Sequence, residues 1–464
     1  MAKRRFSLGK AILFSFLAVF FSLTAILIVS ELIVRAFKLA PGLNRVSVRI
    51  HRLTNNPIMK YEMIPWSFDG IEAINGMGLR DFTYSMNKPR GVFRIAVLGD
   101  STTYGWGSAV WQTHPRMLEY YLNQFQSPKT VQFEVWNFGV RGYGTVEELE
   151  CCKIKALPTH PDMIILGYYL NDPDPYSIDL AGAFGKMEWK DEQFFNFLRE
   201  SWNDRFRRLL FEKSQLYILL KYRLFAKMQE MENKKATNKQ GIELHLNHES
   251  IKYDNLKSQY FYTIMDKYWS RVEEPFKGFK ELSEQYKIPV VVLILPCMDD
   301  FNNYQYEPIH KRVTDEASKN GLMTIDPLPL FIEANKWNYF PLAVDYNHPN
   351  MNGNRIIGWK VATQLMQQKK LPVKEEQYGK SFFDFNIVKM TPDRKIFMNQ
   401  DMYQIEMGLR LIYDRRYSEA VDAFLLAKKL NPDNQFLPTG LREIWAKSSD
   451  PALHNRIKKI LNSD

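Results

Sequence analysis

The chain has 464 residues, of which 45% are hydrophobic and 25% charged, and its formal net charge is +10 at pH 7. This is ordinary globular composition, and the length allows two or three domains with sizeable cores. Beyond the first ten residues the lysines and arginines are spread along the chain, so nucleic-acid binding is not expected. Cys151, Cys152 and Cys297 have neither metal-site nor disulfide spacing and are expected to be buried thiols.

An uncharged segment lies near the N-terminus. Residues 11–30 (AILFSFLAVFFSLTAILIVS) are long enough to cross a bilayer, and we predict a transmembrane helix over 11–34. The basic tail 1–10 is expected in the cytoplasm and everything after about residue 38 outside, by the positive-inside rule. A cleaved signal peptide is the alternative, but the apolar run is long for one and no A-x-A-like site follows. No second such run occurs in the sequence, so a single-pass membrane protein is predicted.

The next part of the chain predicts an α/β domain. Residues 39–93, rich in proline and glycine, are expected to form an ordered entry segment. Helical patterns separate five apolar runs, which predicts a parallel sheet with right-handed crossovers. These runs are 95–98, 131–140, 161–169, 288–296 and 321–327.

The connection 173–286 is far longer than one crossover needs. Its segments 191–233 and 250–286 are amphipathic and helix-prone, and a polar stretch divides them. We predict a helical insertion that caps the active-site edge, with a purely structural lobe as the alternative.

Residues suited to acyl transfer follow the strands. The first strand stops at Gly99-Asp100-Ser101, which places Ser101 at the carboxyl edge of the sheet. On this tripeptide alone, a turn residue or helix N-cap is the favoured interpretation. About 245 residues later, VDYNHPN places Asp345 three residues before His348, a spacing that lets the acid hold Nδ1 of the imidazole. A serine hydroxyl needs such an oriented base to act as a nucleophile.

Two further strand ends offer hydrogen-bond donors for an oxyanion. The segment NFGVRGYG (137–144) contains Gly139, which could present an unhindered backbone N–H, and GYYLND (167–172) contains the amide of Asn171. Singly, Gly139 is typical of a bend, Asn171 of a turn, Asp345 of a helix cap and His348 of a loop. Their order, each at a strand end or loop, favours a catalytic site.

The order GDS, then glycine, then ND, then DxxHP resembles the four blocks of the SGNH hydrolases, also called GDSL-type esterases and lipases. The resemblance covers roughly residues 70–370 and implies a flavodoxin-like three-layer α/β/α domain, placed here at 94–372. It implies that Ser101 is the nucleophile, His348 the general base and Asp345 the acid that orients it. It also implies an oxyanion hole formed by Ser101, Gly139 and Asn171.

The chain departs from the family pattern in two blocks. The first reads GDSTTYGWG instead of GDSL, and the third reads GYYLND instead of the compact GxND. Both variants look similar to those of membrane-anchored bacterial relatives, including proteins that handle acyl groups on cell-surface polysaccharides. The resemblance therefore implies the fold and the catalytic residues but leaves the substrate open.

The C-terminal residues predict a separate helical module over 395–462. Small and aromatic residues occur there at the offsets of one tetratricopeptide repeat, namely Gly408, Tyr417, Ala420, Phe424, Ala427 and Pro432. A single repeat cannot bury its own faces, and 395–407 and 438–462 are expected to supply flanking helices. An unrelated helical tail is the alternative. Both binding of a protein partner and packing on the catalytic domain stay open.

Neither a cofactor nor a metal is expected. GDSTTYGWG lacks the dinucleotide fingerprint, and His114, His160 and His310 are isolated in the sequence. Trp106, Trp111 and Trp136 could form a sugar-stacking surface near the site, but core packing is the favoured interpretation of the aromatic content.

Three functions follow from these observations. The first is an extracytoplasmic serine esterase that removes an acyl group from a carbohydrate or lipid-linked substrate, and acetyl is the expected acyl group. The second is an O-acyltransferase of an envelope polysaccharide that uses the same Ser-His-Asp site. The third is a non-catalytic glycan-binding or assembly protein, against which the complete set of site residues argues.

Overall fold

A computed structural model describes residues 8–36, 50–175, 214, 216, 220, 261–336 and 342–462. By its internal contacts the chain divides into two compact units, 1–45 with 180–248 and 46–179 with 249–464. Of the insertion segment predicted at 191–233, only positions 214, 216 and 220 are among the described residues.

The first unit contains the N-terminal apolar segment as one helix, α1 (Leu8–Ala36). Its part Phe14–Ala36 contains an 18-residue window with a mean hydropathy of 2.5 and is long enough to cross a bilayer, features that a signal sequence near an N-terminus shares. Near the end of α1, the Glu31 carboxylate accepts hydrogen bonds from Ser214 Oγ (2.9 Å) and from the backbone N–H of Leu216 (2.8 Å). Two residues of the insertion thus contact this helix.

The second unit begins with two short antiparallel hairpins, which lie within the entry segment 39–93. The first pairs β1 (His51–Leu53) with β2 (Tyr61–Met63), and the second pairs β3 (Phe68–Asp69) with β4 (Glu72–Ala73). Both precede the central sheet.

The central sheet has five parallel strands, which confirms the predicted fold class. In sheet order they are β6 (Gln132–Asn137), β5 (Val92–Gly99), β7 (Met163–Tyr168), β8 (Val290–Ile294) and β9 (Met323–Ile325). This is the 2-1-3-4-5 order of flavodoxin-like doubly wound folds, whose ligands bind beyond the carboxyl ends of the strands. The inner strands β7 and β8 are continuous, fully buried apolar runs, as expected where helices cover both faces.

Two groups of helices form the outer layers. One group consists of α3 (His114–Gln124) and a long helix, Met351–Gln367, which pack closely against each other. The other consists of α4 (Thr145–Cys151), α5 (Ser270–Tyr286) and α6 (Glu307–Lys319). In chain order, α7 (Leu328–Asn335) precedes the long helix, which we call α8. A four-residue helix, α2 (Ser101–Tyr104), follows β5 at the carboxyl edge.

The C-terminal region is helical and packs on the α/β part of the second unit. Its helices are α9 (Asp401–Tyr413), α10 (Tyr417–Leu430), α11 (Phe436–Lys447) and α12 (Pro451–Leu461). A Cβ at Gly408 would lie 2.8 Å from the Phe424 ring, so α9 and α10 approach closely there. Ring contacts of Trp111 with Phe397 (5.5 Å) and of Trp66 with Phe436 (5.9 Å) join the region to the preceding chain. The repeat assignment itself stays a prediction.

Candidate active site

Local backbone chemistry presents Ser101 at the carboxyl end of β5. Gly99 has φ +155°, and a Cβ there would lie 2.1 Å from Thr103 Oγ1, so only glycine permits this exit from the strand. The Asp100 side chain then caps α2 by accepting from the Thr102 N–H (2.7 Å). Gly105, in the left-handed region, ends the helix after one turn. Ser101 therefore begins a very short helix and stays partly exposed.

The structure brings Ser101, His348 and Asp345 into one hydrogen-bonded chain. Ser101 Oγ lies 2.8 Å from His348 Nε2, and His348 Nδ1 lies 2.9 Å from both carboxylate oxygens of Asp345. Because a carboxylate accepts only, Nδ1 carries the proton, and Nε2 is left as the acceptor for the serine hydroxyl. The structure thus brings together the three residues that the sequence analysis considered for this role.

The Asp345 carboxylate is held in its ionised form by its neighbours. Partial burial raises its pKa, but the hydrogen bond and charge of His348 and the backbone N–H groups of Asn347 and His348 lower it, and the net pKa is below its ordinary value. The Asp345 side chain is 40% exposed and that of His348 12% exposed, so solvent reaches this end of the site.

Residues that follow the neighbouring strands fix the loop that carries the histidine. The carbonyl of Tyr346 accepts from the Met298 N–H (2.8 Å), and Tyr169 Oη lies 2.8 Å from Asn347 Oδ1. Met298 follows β8 and Tyr169 follows β7, so two strand ends hold the loop. No local pattern in the sequence marks these contacts.

Gly139 lies where the loop after β6 contacts α2. Its N–H donates to Asn137 Oδ1 (2.9 Å), and a Cβ there would lie 2.3 Å from the Tyr104 backbone nitrogen. The glycine therefore permits close contact between the loop after β6 and α2. Its N–H already has an acceptor.

Three other candidate donors are free within the described part of the chain. The backbone N–H of Ser101 has no acceptor there, and neither do the Asn171 side-chain amide nor the N–H of Gly142. Gly142 is buried and has φ +79°. The Val140 N–H bonds to the Gly99 carbonyl (2.9 Å), so this loop runs directly beside the exit of β5. NFGVRGYG contains three glycines, and the sequence alone does not show which N–H is free.

Three buried carboxyl groups lie close enough to interact electrostatically, and no motif in the sequence indicates this cluster. Asp100, Glu148 and Asp172 are each at most 1% exposed. Burial raises the pKa of Glu148 well above its ordinary value, and the charges of Asp172 and Asp100 raise it further. Burial likewise raises the pKa of Asp172 and of Asp100. Neither oxygen of Glu148 has a hydrogen-bond partner in the described ranges, so the protonated form is favoured there.

Only one of the three tryptophans considered above adjoins the site. The backbone N–H of Trp106 donates to the Ser101 carbonyl (3.1 Å), and the centroid of the Trp106 ring lies 6.2 Å from that of His348. The Arg141 guanidinium stacks over the Trp106 ring at 4.0 Å. Trp111 and Trp136 are buried, as core packing predicts.

Comparisons with known proteins give only distant overlaps. No family model and no curated protein matches the chain. It overlaps with a two-domain esterase active on acetylated mannans, co-crystallised with mannopentaose, at 12% identity and a TM-score of 0.33, over 62% of this chain and 52% of that one. The chain thus spans about half the length of that esterase.

Two further solved structures overlap to a similar degree. An α/β hydrolase from the metagenome of Lake Arreo, Spain, has 12% identity and a TM-score of 0.34, over 60% of this chain and 97% of that one. An acetylxylan esterase from Geobacillus stearothermophilus has 12% identity and a TM-score of 0.35, over 59% of this chain and 94% of that one. With overlap at this level, the function rests on the chain's own site.

Proposed function

We propose that the chain is a membrane-anchored, extracytoplasmic serine esterase of the SGNH type. It hydrolyses an acyl ester, with acetyl as the expected acyl group, of a carbohydrate or lipid-linked substrate. The observation that carries this proposal is the continuous hydrogen-bonded chain from Ser101 Oγ through His348 to Asp345. The apolar helix α1 is proposed as the anchor. An O-acyltransferase would use the same first half-reaction.

In the first half-reaction, Ser101 Oγ attacks the ester carbonyl carbon while His348 Nε2 accepts the hydroxyl proton. The tetrahedral intermediate then collapses as the C–O bond to the alcohol breaks, and His348 returns the proton to the leaving oxygen. Asp345 stabilises the transient imidazolium. In the second half-reaction, His348 deprotonates water, whose oxygen attacks the carbonyl carbon of the acyl-enzyme. The bond between this carbon and Ser101 Oγ then breaks, and His348 returns the proton to Oγ, which releases the carboxylic acid and the free serine.

Charge on the carbonyl oxygen requires fixed donors during both steps. We assign the backbone N–H of Ser101 and the side-chain amide of Asn171 to this role, as expected from the sequence. Because the Gly139 N–H is bonded to Asn137, we assign the third donor to the Gly142 N–H. All three donors have no acceptor among the residues that the structure describes, and so are available to a substrate oxygen.

Labelling with a fluorophosphonate tests the proposal. The full chain in detergent is expected to be labelled at Ser101, as located by peptide mass spectrometry. Ser101→Ala should abolish labelling, and Asp345→Asn should slow ester turnover by about 10³-fold or more, because an asparagine amide favours the wrong imidazole tautomer. The exposed Ser381→Ala serves as a matched control and should behave as wild type.

Unlabelled, folded wild-type protein would overturn the proposal. For a labelled enzyme, hydrolysis and transfer separate in one assay, in which acetate release from an acetyl ester is compared with acetylation of an added polysaccharide. Release that is unchanged by the acceptor supports the esterase, whereas acetylated polysaccharide in place of acetate supports the transferase.

A further inference from the structure

A buried arginine from the entry segment binds the turn that carries the serine. Arg80 is fully buried, and its Nη1 donates to the carbonyls of Tyr104 (3.1 Å) and Gly105 (2.7 Å). Its Nη2 donates to the carbonyl of Ser108. These carbonyls lie at the end of α2 and in the loop that follows, so the guanidinium ties down the segment directly after Ser101.

The same guanidinium is paired with the C-terminal region. Glu406, on α9, accepts from Arg80 Nη2 through Oε1 (3.1 Å) and from the Val110 N–H through Oε2 (2.7 Å). The Glu406 side chain is 6% exposed. Residues 104–110 are thus held from one end by Arg80 and from the other by Glu406, although the two side chains are 326 positions apart in the sequence.

The held segment contains groups that adjoin the proposed catalytic residues. Within it, the backbone N–H of Trp106 donates to the Ser101 carbonyl, and the Trp106 ring packs near His348. A shift of the 104–110 segment would therefore move both partners of the Oγ–Nε2 hydrogen bond. Small displacements between reacting groups are costly, since a misplacement of about 1 Å can lower a rate by about 10²-fold.

We propose that Arg80 and Glu406 are positioning residues for the proposed esterase reaction, so that helix α9 of the C-terminal region is part of the machinery that orients Ser101 against His348. This inference rests on the proposed function. It explains a buried ion pair at this place, because an apolar pair of similar size would hold the entry segment against α9 but would not bind the four backbone groups.

The chain contains a matched control for a buried arginine. Arg94 is also fully buried and donates to three carbonyls, those of Ser85, Met86 and Thr159, and to the Glu134 carboxylate. It lies on β5 several residues before the carboxyl end, away from the 104–110 segment. Arg94→Met should therefore reproduce the loss of stability of Arg80→Met without its effect on the site.

The experiment measures the fluorophosphonate labelling rate, kcat and KM for a small soluble acetyl ester, and Tm, all on the full chain. For Arg80→Met and for the isosteric Glu406→Gln, we expect labelling rate and kcat to fall, by about tenfold or more for the arginine variant, with KM little changed. The double variant Arg80→Met/Glu406→Leu should recover Tm relative to Arg80→Met but not kcat.

Two outcomes overturn the inference and are distinguishable from each other. If wild type is labelled at Ser101 but kcat follows Tm alike in the Arg80, Glu406 and Arg94 variants, the pair is merely structural. If the folded wild-type chain is not labelled, the proposed function fails and this inference fails with it. Should Arg80→Met not fold, Glu406→Gln alone decides whether the pair positions the site or is merely structural. This variant replaces one carboxylate oxygen by an amide nitrogen at a nearly unchanged volume.

Discussion

At the scale of single residues, the site combines an acid whose pKa is lowered, Asp345, with a buried acid whose pKa is raised, Glu148. Asp345 is partly exposed and bonded to His348, which lowers its pKa and lets it stabilise an imidazolium. Glu148 has no donor within the described ranges, and burial raises its pKa well above the ordinary value. This difference suits the proposed chemistry, because an ionised Glu148 behind Ser101 would oppose the negative charge that develops on the substrate oxygen.

The raised pKa of Glu148 predicts a pH-dependent effect of Glu148→Gln on stability. In the unfolded chain this carboxyl ionises near its ordinary pKa, whereas in the folded chain it keeps its proton to higher pH. As the pH rises above the ordinary value, wild type therefore loses stability that the glutamine variant retains. We expect the Tm of the variant minus that of wild type to increase as the pH is raised from about 4 toward neutrality.

Thermal unfolding of both proteins across this range checks the prediction. Glu150→Gln is the control, since that carboxylate lies on the same helix but accepts a hydrogen bond from Asn56 Nδ2 (2.8 Å) and is only partly buried. Its Tm difference should not rise with pH. Parallel Tm curves for wild type and Glu148→Gln would show that Glu148 is ionised in the folded chain.

At the scale of elements, one glycine sets the contact between the two helices on one face of the sheet. A Cβ at Gly358 of α8 would lie 2.7 Å from the Leu118 backbone nitrogen and 2.7 Å from the Met117 Cβ on α3. Backbone cannot move aside as a flexible side chain can, so the helices would have to separate. We predict that Gly358→Ala destabilises the fold by about 1–3 kcal/mol, despite the better helix propensity of alanine.

Gly379→Ala is the matched control for this prediction. Its Cβ would meet nothing closer than Ser381 Oγ at 3.8 Å, and its φ is −62°. Denaturant unfolding should show a lower midpoint for Gly358→Ala and an unchanged or slightly higher one for Gly379→Ala. Equal midpoints for the two variants would mean that α3 and α8 tolerate the extra methyl group.

The elements also show what sequence patterns can and cannot predict. The apolar runs predicted all five strands, because a strand buried on both faces is marked by its own residues. The short motifs around Ser101 and His348 predicted a contact across 247 positions, because each motif lies at a strand end or loop of that sheet. The hydrogen bond from the Gly139 N–H to Asn137, the free Gly142 N–H and the Arg80–Glu406 pair depend on the folded backbone, and no local pattern marks them.

At the scale of the whole molecule, the C-terminal helices and the α/β part share one compact unit that carries the site, whereas α1 belongs to the other unit. The C-terminal region was open to interpretation as a partner-binding module or as a packed extension. The aromatic contacts of Phe397 and Phe436 show that it packs on the preceding chain. Binding of a protein partner stays a prediction for the surface that remains.

We predict that the site lies on the outer side of the cytoplasmic membrane. Lys3, Arg4, Arg5 and Lys10 precede the apolar helix, so its N-terminal end is expected to stay in the cytoplasm and residues after it to be exported. A protease should then digest the part of the chain that contains Ser101 once the layers of the cell envelope outside the cytoplasmic membrane have been permeabilised. Lysis of the cytoplasmic membrane should not be needed. A cytoplasmic marker protein must survive the same treatment as the control.

Mass spectrometry of the purified chain tests the anchor in the same sample. We expect peptides from 1–36 to remain attached and the protein to stay in the membrane fraction at high salt, because transfer of an apolar helix of this length out of lipid is strongly unfavourable. Replacing the four basic residues by glutamine or serine should reduce the exported fraction. A mature chain that begins beyond α1 and fractionates as soluble protein would instead identify the segment as a signal peptide, with Ser101 still outside the cytoplasm but free of the membrane.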